Sequence, residues 1–349
     1  MAKKIYMTIA LAIVLVLTIV VFYPKYKAQR NKDLANQNGS SSSAVDGQNP
    51  YHGFIMATLR KKADPKAVPN VGILNLDKSN IRFFNNGGTI NMNADGLRDK
   101  FIGVVSSLPA AQIGTKSQDI FQLYTIDMKN NFERKQLTDS NTALKKSPRW
   151  SPDGTRVAFM ARPQDDAKKA SRNPNDWNIY VTDMGGAEKM IGTGAYPQWS
   201  PDGKKILAMK QDGLYLYSLD GGTPEKVLSE NNMTLADTVG VSQDASLLAL
   251  SLSENNQFSV MKIDSWAPFK TENYRSDNNA KCFYPVFSPD MKDVAVIRVD
   301  SKDNAFGNMR LAIYDLASSS WHDLFDLSQY DAGSASLDVW GLAGNNINI

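Results

Sequence analysis

The sequence predicts an all-β fold: a six-bladed β-propeller closed by joined C-terminal and N-terminal strands and preceded by one transmembrane helix. Three observations carry this expectation. An uncharged apolar run lies near the N-terminus, a polar stretch follows it, and two short signatures then alternate, six copies of each, along the remaining residues.

The apolar run, IYMTIALAIVLVLTIVVFY at 5–23, is long enough as a helix to cross a bilayer core of roughly 30 Å. Tyr6, Phe22 and Tyr23 stand at its ends, where interfacial aromatics belong. Lys3 and Lys4 could open a signal peptide, but the run exceeds the usual apolar core of one and no A-x-A-like cleavage site follows, so an uncleaved anchor over 1–29 is expected. Basic residues flank it on both sides, Lys3 and Lys4 before and Lys25, Lys27, Arg30 and Lys32 after, so charge does not set its orientation. Residues 30–50, RNKDLANQNGSSSSAVDGQNP, almost lack large apolar side chains and read as a flexible tether with a reach of roughly 25 Å.

Beyond residue 50 the apolar residues recur in short alternating runs bounded by Gly, Pro, Asn and Asp, which is a strand pattern. One signature is a box, Trp150-Ser-Pro-Asp153-Gly154 before TRVAFMA and Trp199-Ser-Pro-Asp202-Gly203 before KKILAMK. Phe287-Ser-Pro-Asp290 and Val241-Ser-Gln-Asp244 are weaker copies, and boxes starting at Met92 and Trp340 are weaker still. Each box suits a strand, a tight turn and a second strand: Pro fixes φ, Asp bonds the turn backbone and Gly supplies φ > 0. The Asp and Trp of each box are therefore expected to build blades rather than to bind metal or ligand.

The second signature is a strand ending in Asp, at Asp77, Asp127, Asp183, Asp220, Asp264 and Asp315. Boxes recur about every 50 residues, the length of a four-stranded blade. Asp77 has no box before it and Trp340 no Asp-ended strand after it. The C-terminal segment is thus expected to supply the innermost strand of a blade whose other strands are 53–59, 71–77 and 80–84. Such closure removes exposed sheet edges.

Composition bounds the function. The 349 residues carry 39 Lys+Arg against 36 Asp+Glu, and six basic against two acidic side chains fall in the first 50, leaving a near-neutral body. That balance points the positive charge at a membrane surface and argues against a dedicated nucleic-acid binder. Cys282 is the only cysteine, so an intrachain disulfide, a Cys-based zinc cage and a CxxC redox pair are excluded. It is expected to be buried and inert. His52 and His322 are the only histidines, which leaves little room for His-dependent catalysis. No cofactor, catalytic residue or metal ligand is read from the sequence.

The repeated WSPDG box before a KIAF-like strand, alternating with xYxxD strands over about 53–349, resembles the TolB-type six-bladed β-propeller. It is also similar to the propellers attached to prolyl oligopeptidase-type peptidases. The resemblance implies an extracytoplasmic protein that binds other proteins of the cell envelope, here on the periplasmic side of a bacterial inner membrane. In place of the α/β domain that precedes the TolB propeller stand the anchor and tether, and no family binding residue carries over.

Loop length is the variation left once the repeat is subtracted. Long connections between second and third strands are expected at 107–118, 162–176, 299–308 and 60–70, in four adjacent blades, so they form a crescent on one face. Arg60, Lys61, Lys62, Lys66, Lys116, Arg162, Lys168, Lys169 and Arg172 are the candidate docking residues on it. The expected function is a binding or scaffold subunit, not an enzyme, of a membrane or envelope complex. A propeller enzyme acting on saccharides or lactones, or a sensor holding a small ligand in the central channel, are the alternatives.

Overall fold

The computed structural model describes residues 50–62, 70–83, 91–95, 102–107, 122–127, 133–140, 144–162, 172–252, 255–278, 281–299, 309–330 and 335–341. The expected anchor at 5–23 and tether up to residue 49 lie outside the described residues. Among the described residues no helix is long and apolar enough to cross a membrane.

The described strands form six four-stranded antiparallel sheets. β1 (Phe54–Leu59), β2 (Asn70–Asn75) and β3 (Asn80–Phe83) share a sheet with β24 (Ser336–Gly341), which pairs with β1. The next comprises β4 (Asn91–Asp95), β5 (Ile102–Ser107), β6 (Gln122–Asp127) and β7 (Glu133–Gln136). Then come β8 (Leu144–Trp150), β9 (Arg156–Arg162), β10 (Asn178–Asp183) and β11 (Glu188–Thr193), followed by β12 (Ala195–Trp199), β13 (Lys205–Lys210), β14 (Gly213–Ser218) and β15 (Glu225–Ser229). β16 (Thr238–Val241), β17 (Leu247–Leu252), β18 (Gln257–Trp266) and β19 (Phe269–Asp277) make the fifth, and β20 (Lys281–Phe287), β21 (Asp293–Val299), β22 (Met309–Asp315) and β23 (Ser320–Asp326) the sixth. The first strands of the sheets neighbour one another in the order β4, β8, β12, β16, β20, β24, and β24 returns to β4. The architecture is an all-β propeller.

Burial follows position in the sheet. β1, β9 and β17 are almost wholly buried, because each has a neighbouring sheet on both faces and therefore reads as a continuous apolar run. The fourth strands β7, β11 and β15 are half-exposed and carry Glu and Lys, which blunt an edge against further pairing. Apolar side chains interdigitate between sheets: Trp199, Ile206 and Met209 pack with Met160 and Ile179 on one side and Leu248 and Leu250 on the other.

The box turns form as expected at Trp150, Trp199, Val241 and Phe287, with one residue more important than the sequence pattern suggests. In each, a buried serine (Ser151, Ser200, Ser242 or Ser288) donates to the box Asp and accepts the backbone N–H five residues on. The Asp also accepts the N–H two residues ahead of it. The fifth position takes φ of 65° at Gly154 and 64° at Gly203. Ala245 and Met291 adopt the same left-handed conformation, at 57° and 60°, without glycine's freedom.

Three expectations need correction, and a fourth is borne out in part. Met92 lies inside β4, which runs on to Asp95 paired with Val104, so Ala94 and Asp95 are ladder residues rather than turn residues. Trp340 is the penultimate residue of β24, which pairs with β1 as the sequence predicts, and the rest of its box, from Leu342 on, lies outside the described residues. Asp77 and Asp220 fall just beyond β2 and β14, whereas β18 runs past Asp264 to Trp266. Arg162 is the last residue of β9 and is 3% exposed, so it is not a loop residue.

The box tryptophans join sheets, as expected. Trp150, Trp199 and Trp340 are buried. Trp199 Nε1 donates to the Arg149 carbonyl of the preceding sheet at 2.9 Å; Trp340 clusters with Ala295 and Ile297 of the preceding sheet, while its Nε1 donates to the His52 carbonyl beside β1 of its own sheet at 3.1 Å. A buried polar joint adds to these: Lys145 Nζ donates to Gln122 Oε1 of β6 at 3.1 Å and lies 3.4 Å from Glu188 of β11.

Candidate functional site

The first strands carry a shared irregularity that shapes the propeller axis. Register slips between Lys146 and Arg149 in β8, Ala195 and Gln198 in β12, and Phe283 and Val286 in β20. Ser147, Tyr196 and Tyr284 sit in these bulges with φ of 48°, 52° and 55°. Each is followed by proline (Pro148, Pro197 or Pro285), which is tolerated because a bulge residue owes no ladder hydrogen bond. In β24, Asp338 is skipped by the ladder between Leu337 and Val339. β16 runs without a slip, and its Gly240 lets the Pro285 carbonyl come so close that a Cβ there would sit 2.3 Å from the oxygen.

These bulges turn side chains toward a common space. It is lined by Ser147 and Arg149, by Tyr196, by Thr238 and Val239, by Tyr284 and Pro285, and by Ser336, Leu337 and Asp338, so five first strands contribute. The Tyr196 and Tyr284 rings meet edge to face with centroids 6.4 Å apart. Tyr196 Oη donates to the Leu235 carbonyl at 2.7 Å, the Tyr284 N–H donates to Thr238 Oγ1 at 2.8 Å, and Gln198 Nε2 donates to the Val239 carbonyl at 3.3 Å. Burial pushes both phenols above their ordinary range, most strongly at Tyr196, where Tyr284 and Asp237 add to it. They are neutral hydrogen-bonding groups at physiological pH. Arg149 and the buried Asp338 also line this space, so its wall is polar.

The space is tied to a long connection. The Arg172 carbonyl accepts the Leu235 N–H at 2.7 Å, and the Leu235 carbonyl in turn holds Tyr196. The Gln211 N–H donates to Asn175 Oδ1 at 3.1 Å, so the residues before β10 are bound to the neighbouring sheet.

The strand bounds leave long connections in four sheets and short ones in two. β1 ends at Leu59 and β2 starts at Asn70; the corresponding bounds are Ser107 and Gln122, Arg162 and Asn178, and Val299 and Met309. By contrast β13 ends at Lys210 and β14 starts at Gly213, and β17 ends at Leu252 with β18 starting at Gln257. Arg60 and Lys61 are half-exposed and Lys62 and Arg172 exposed. Lys61 bridges to Tyr330, and the Lys62 N–H donates to the Gln329 carbonyl at 2.9 Å. Lys66, Lys116, Lys168 and Lys169 lie outside the described residues.

The remaining sequence candidates are accounted for. His52 is exposed and bonds Asp77 at 2.8 Å, and His322 is exposed on β23. Among the described residues no group of three His, Cys, Asp or Glu side chains is placed to hold a metal ion. Cys282 is fully buried beside Ser251, and burial pushes its thiol up to about 12.

Comparison with solved structures places this architecture. TolB from Acinetobacter baumannii superposes with a TM-score of 0.59 at 17% identity, over 85% of this chain and 68% of that one. The TolB homologue of Agrobacterium tumefaciens gives 0.53 at 13% identity, over 84% and 100%. The fold is a TolB-like β-propeller. An oligogalacturonate lyase from Vibrio parahaemolyticus shares it more distantly, with a TM-score of 0.50 at 12% identity over 78% of this chain and 79% of that one. Among curated proteins, a protein called uncharacterized peptidase YuxL of Bacillus subtilis is 27% identical over 180 residues, 46% of this chain and 27% of that protein. This chain therefore matches about a quarter of that relative's length. No family model matches.

The bulge residues escaped the sequence reading. Their signal is nonetheless visible: a Pro two residues before Trp150, Trp199 and Phe287, preceded by Ser147, Tyr196 and Tyr284.

Proposed function

We propose that this chain is a non-catalytic binding or scaffold subunit, a closed six-bladed propeller held on the extracytoplasmic side of a membrane by an N-terminal helix over 5–23. The observation that carries the reading is the asymmetry of the rim. Four adjacent sheets have long connections between second and third strands and two have short ones. Long connections grouped on adjacent sheets of a rigid scaffold are where binding surfaces tend to lie. The cyclic contacts of the first strands, β24 back to β4 included, support six blades. The uncharged run at 5–23 and the polar tether support the anchor, and the TolB-like fold supports the envelope setting.

The test is purification of the tagged full-length protein from its own membranes in mild detergent, beside a Lys168→Glu, Lys169→Glu variant. A stoichiometric set of co-migrating proteins, lost or thinned in the variant, is the expected result. Wild-type protein that migrates alone, or complexes unchanged by the variant, would overturn the docking assignment.

A second reading, a small polar ligand held on the axis, is favoured by the convergence of Arg149, Asp338, Tyr196 and Tyr284. It predicts a saturable thermal shift with such a ligand that Tyr284→Phe weakens.

A further inference from the structure

The chain has two histidines, and both meet at one place, the short approach to β1 at Tyr51, His52 and Gly53. Tyr51 is buried, its ring centroid 6.0 Å from that of His322 on β23 and 6.2 Å from that of Trp340 on β24. His52 leaves its ring in solvent with Nδ1 2.8 Å from Asp77 Oδ1, while its carbonyl accepts from Trp340 Nε1. The Gly53 N–H donates to Asp77 Oδ2 at 3.0 Å, and the Gly53 carbonyl accepts the Leu76 N–H at 2.9 Å. Three residues thus tie the end of β2 and the last strand, β24, to β23 of the neighbouring sheet.

The groups that face these histidines are mainly carboxylates. Asp77 faces His52. Across the seam, Asp293 and Asp315 oppose one another in the β21–β22 ladder and both feel the charge of His322, with Asp290 and Lys292 beside Asp293. Burial, and after it these same two carboxylates, pushes the Tyr51 phenol up to about 12, so their field reaches the approach segment. Burial alone would raise Asp77, but the bonds from His52 and Gly53 outweigh it and hold the carboxyl below its ordinary range. The Ser318 N–H leads in holding Asp315 low. Both carboxylates therefore stay charged in mild acid, and each histidine, once protonated, meets a fixed negative charge.

We infer that Tyr51, His52 and Gly53 form a pH-sensitive latch across the seam between the first and sixth sheets, drawn shut by protonation of His52 and His322. Histidine is the side chain whose charge ordinarily changes between about pH 5 and 8. A histidine that gains a carboxylate partner adds stability while protonated and loses it as pH rises through its titration. With both rings neutral the attraction is gone, and Asp293 and Asp315 are left to repel one another. The His52 and Asp77 side chains are 73% and 42% exposed, so solvent limits each pair to an effect of a few-fold. The latch requires neither the docking surface nor an axial ligand.

Hydrogen exchange of the full-length protein, followed at single amides and corrected for intrinsic rate, tests the inference at about pH 5.5 and about pH 8. The reference is the Lys205 amide, which the Ser200 hydroxyl holds in the sheet of β12 to β15. Relative to it, protection of the Gly53 amide is expected to fall about three- to tenfold from the lower pH to the higher. His322→Gln should remove part of that fall, and the double variant His52→Gln, His322→Gln should reduce it to within about twofold. Both histidines are exposed, so the variants should fold. No relative fall in the wild type, or the same fall in the double variant, would overturn the latch. A fall unchanged in His322→Gln would also overturn it, by confining the effect to the His52–Asp77 pair on one side of the seam.

Discussion

The guanidinium of Arg156, on β9, lies over the indole of Trp199, on β12 of the next sheet, 5.0 Å from the ring centroid. Its Nη2 also donates to the Gly203 carbonyl at 2.8 Å, so one side chain holds both the tryptophan and the turn of the neighbouring box. Two sheets are clasped where only side chains can join them. Arg156→Ala is expected to cost about 1–2 kcal/mol, and Arg156→Lys less. Thermal unfolding of the three proteins at equal concentration checks this, and identical midpoints would remove the clasp's contribution.

The buried box serine makes a sharper test of the turn. Ser200 Oγ accepts the Lys205 N–H at 2.9 Å and donates to Asp202. Ser200→Ala removes both bonds from a buried position and is expected to cost about 1–3 kcal/mol in urea unfolding. Asp202 is largely solvated, so Asp202→Asn should cost visibly less.

Two substitutions of opposite sign test the backbone argument. Gly240→Ala would drive a methyl to 2.3 Å from the Pro285 carbonyl, a backbone atom, and is expected to destabilise by more than about 2 kcal/mol. Ala245→Gly relieves a left-handed alanine at φ 57° and is expected to stabilise by about 0.5–1 kcal/mol. Denaturant midpoints measure both.

Asp293 and Asp315 stand directly opposite in the β21–β22 ladder. Burial, with Asp315 and Asp290 next, raises Asp293 from its ordinary 3.8 to about 6, whereas the Ser318 N–H, followed by that of Ala317, keeps Asp315 low. A raised carboxyl favours the native state below about pH 4, and that contribution is lost as pH rises through about 6. Asp293→Asn is therefore expected to gain stability over the wild type at pH 8, by roughly 1 kcal/mol after solvent screening, and to gain none at pH 4. Stability measured at the two pH values decides it.

Cys282 should be silent to thiol reagents in the native protein, since it is fully buried and its thiol is pushed up to about 12. Its labelling rate is expected to follow global unfolding across a urea series. Rapid labelling without denaturant would show local opening of β20.

Much of this fold was legible because repetition makes weak local signals additive. Six copies of a turn box and six Asp-ended strands located the sheets, and the unpaired first and last signatures located the joined one, now seen as Phe54–Leu59 against Ser336–Gly341. The boxes could not show which of their residues matters most. Serine is small and common, and its two hydrogen bonds depend on a turn geometry that composition does not encode. The Met92 box was misplaced because Asp and Gly mark a turn equally well from inside a strand end. The axial residues were hidden for a different reason: a bulge adds one residue to a strand, which reverses the inward and outward alternation that a sequence reader relies on. Arg162 looked like part of a basic loop because its burial comes from a ring fifteen positions later in the chain.

Joining the last strand to the first sets a timetable on the ribosome. Thr58 and Asp338, bonded in the finished ring, are separated by 280 residues. At about 5–20 residues per second, β1 is made roughly 15–60 seconds before its partner exists. Through that interval its edge is a bare ladder of N–H and carbonyl groups, open to any extended chain nearby. A newborn molecule that leaves the ribosome without residues 336–341 would keep that edge for life, and recognition of unpaired β1 is where quality control of this propeller is expected to act.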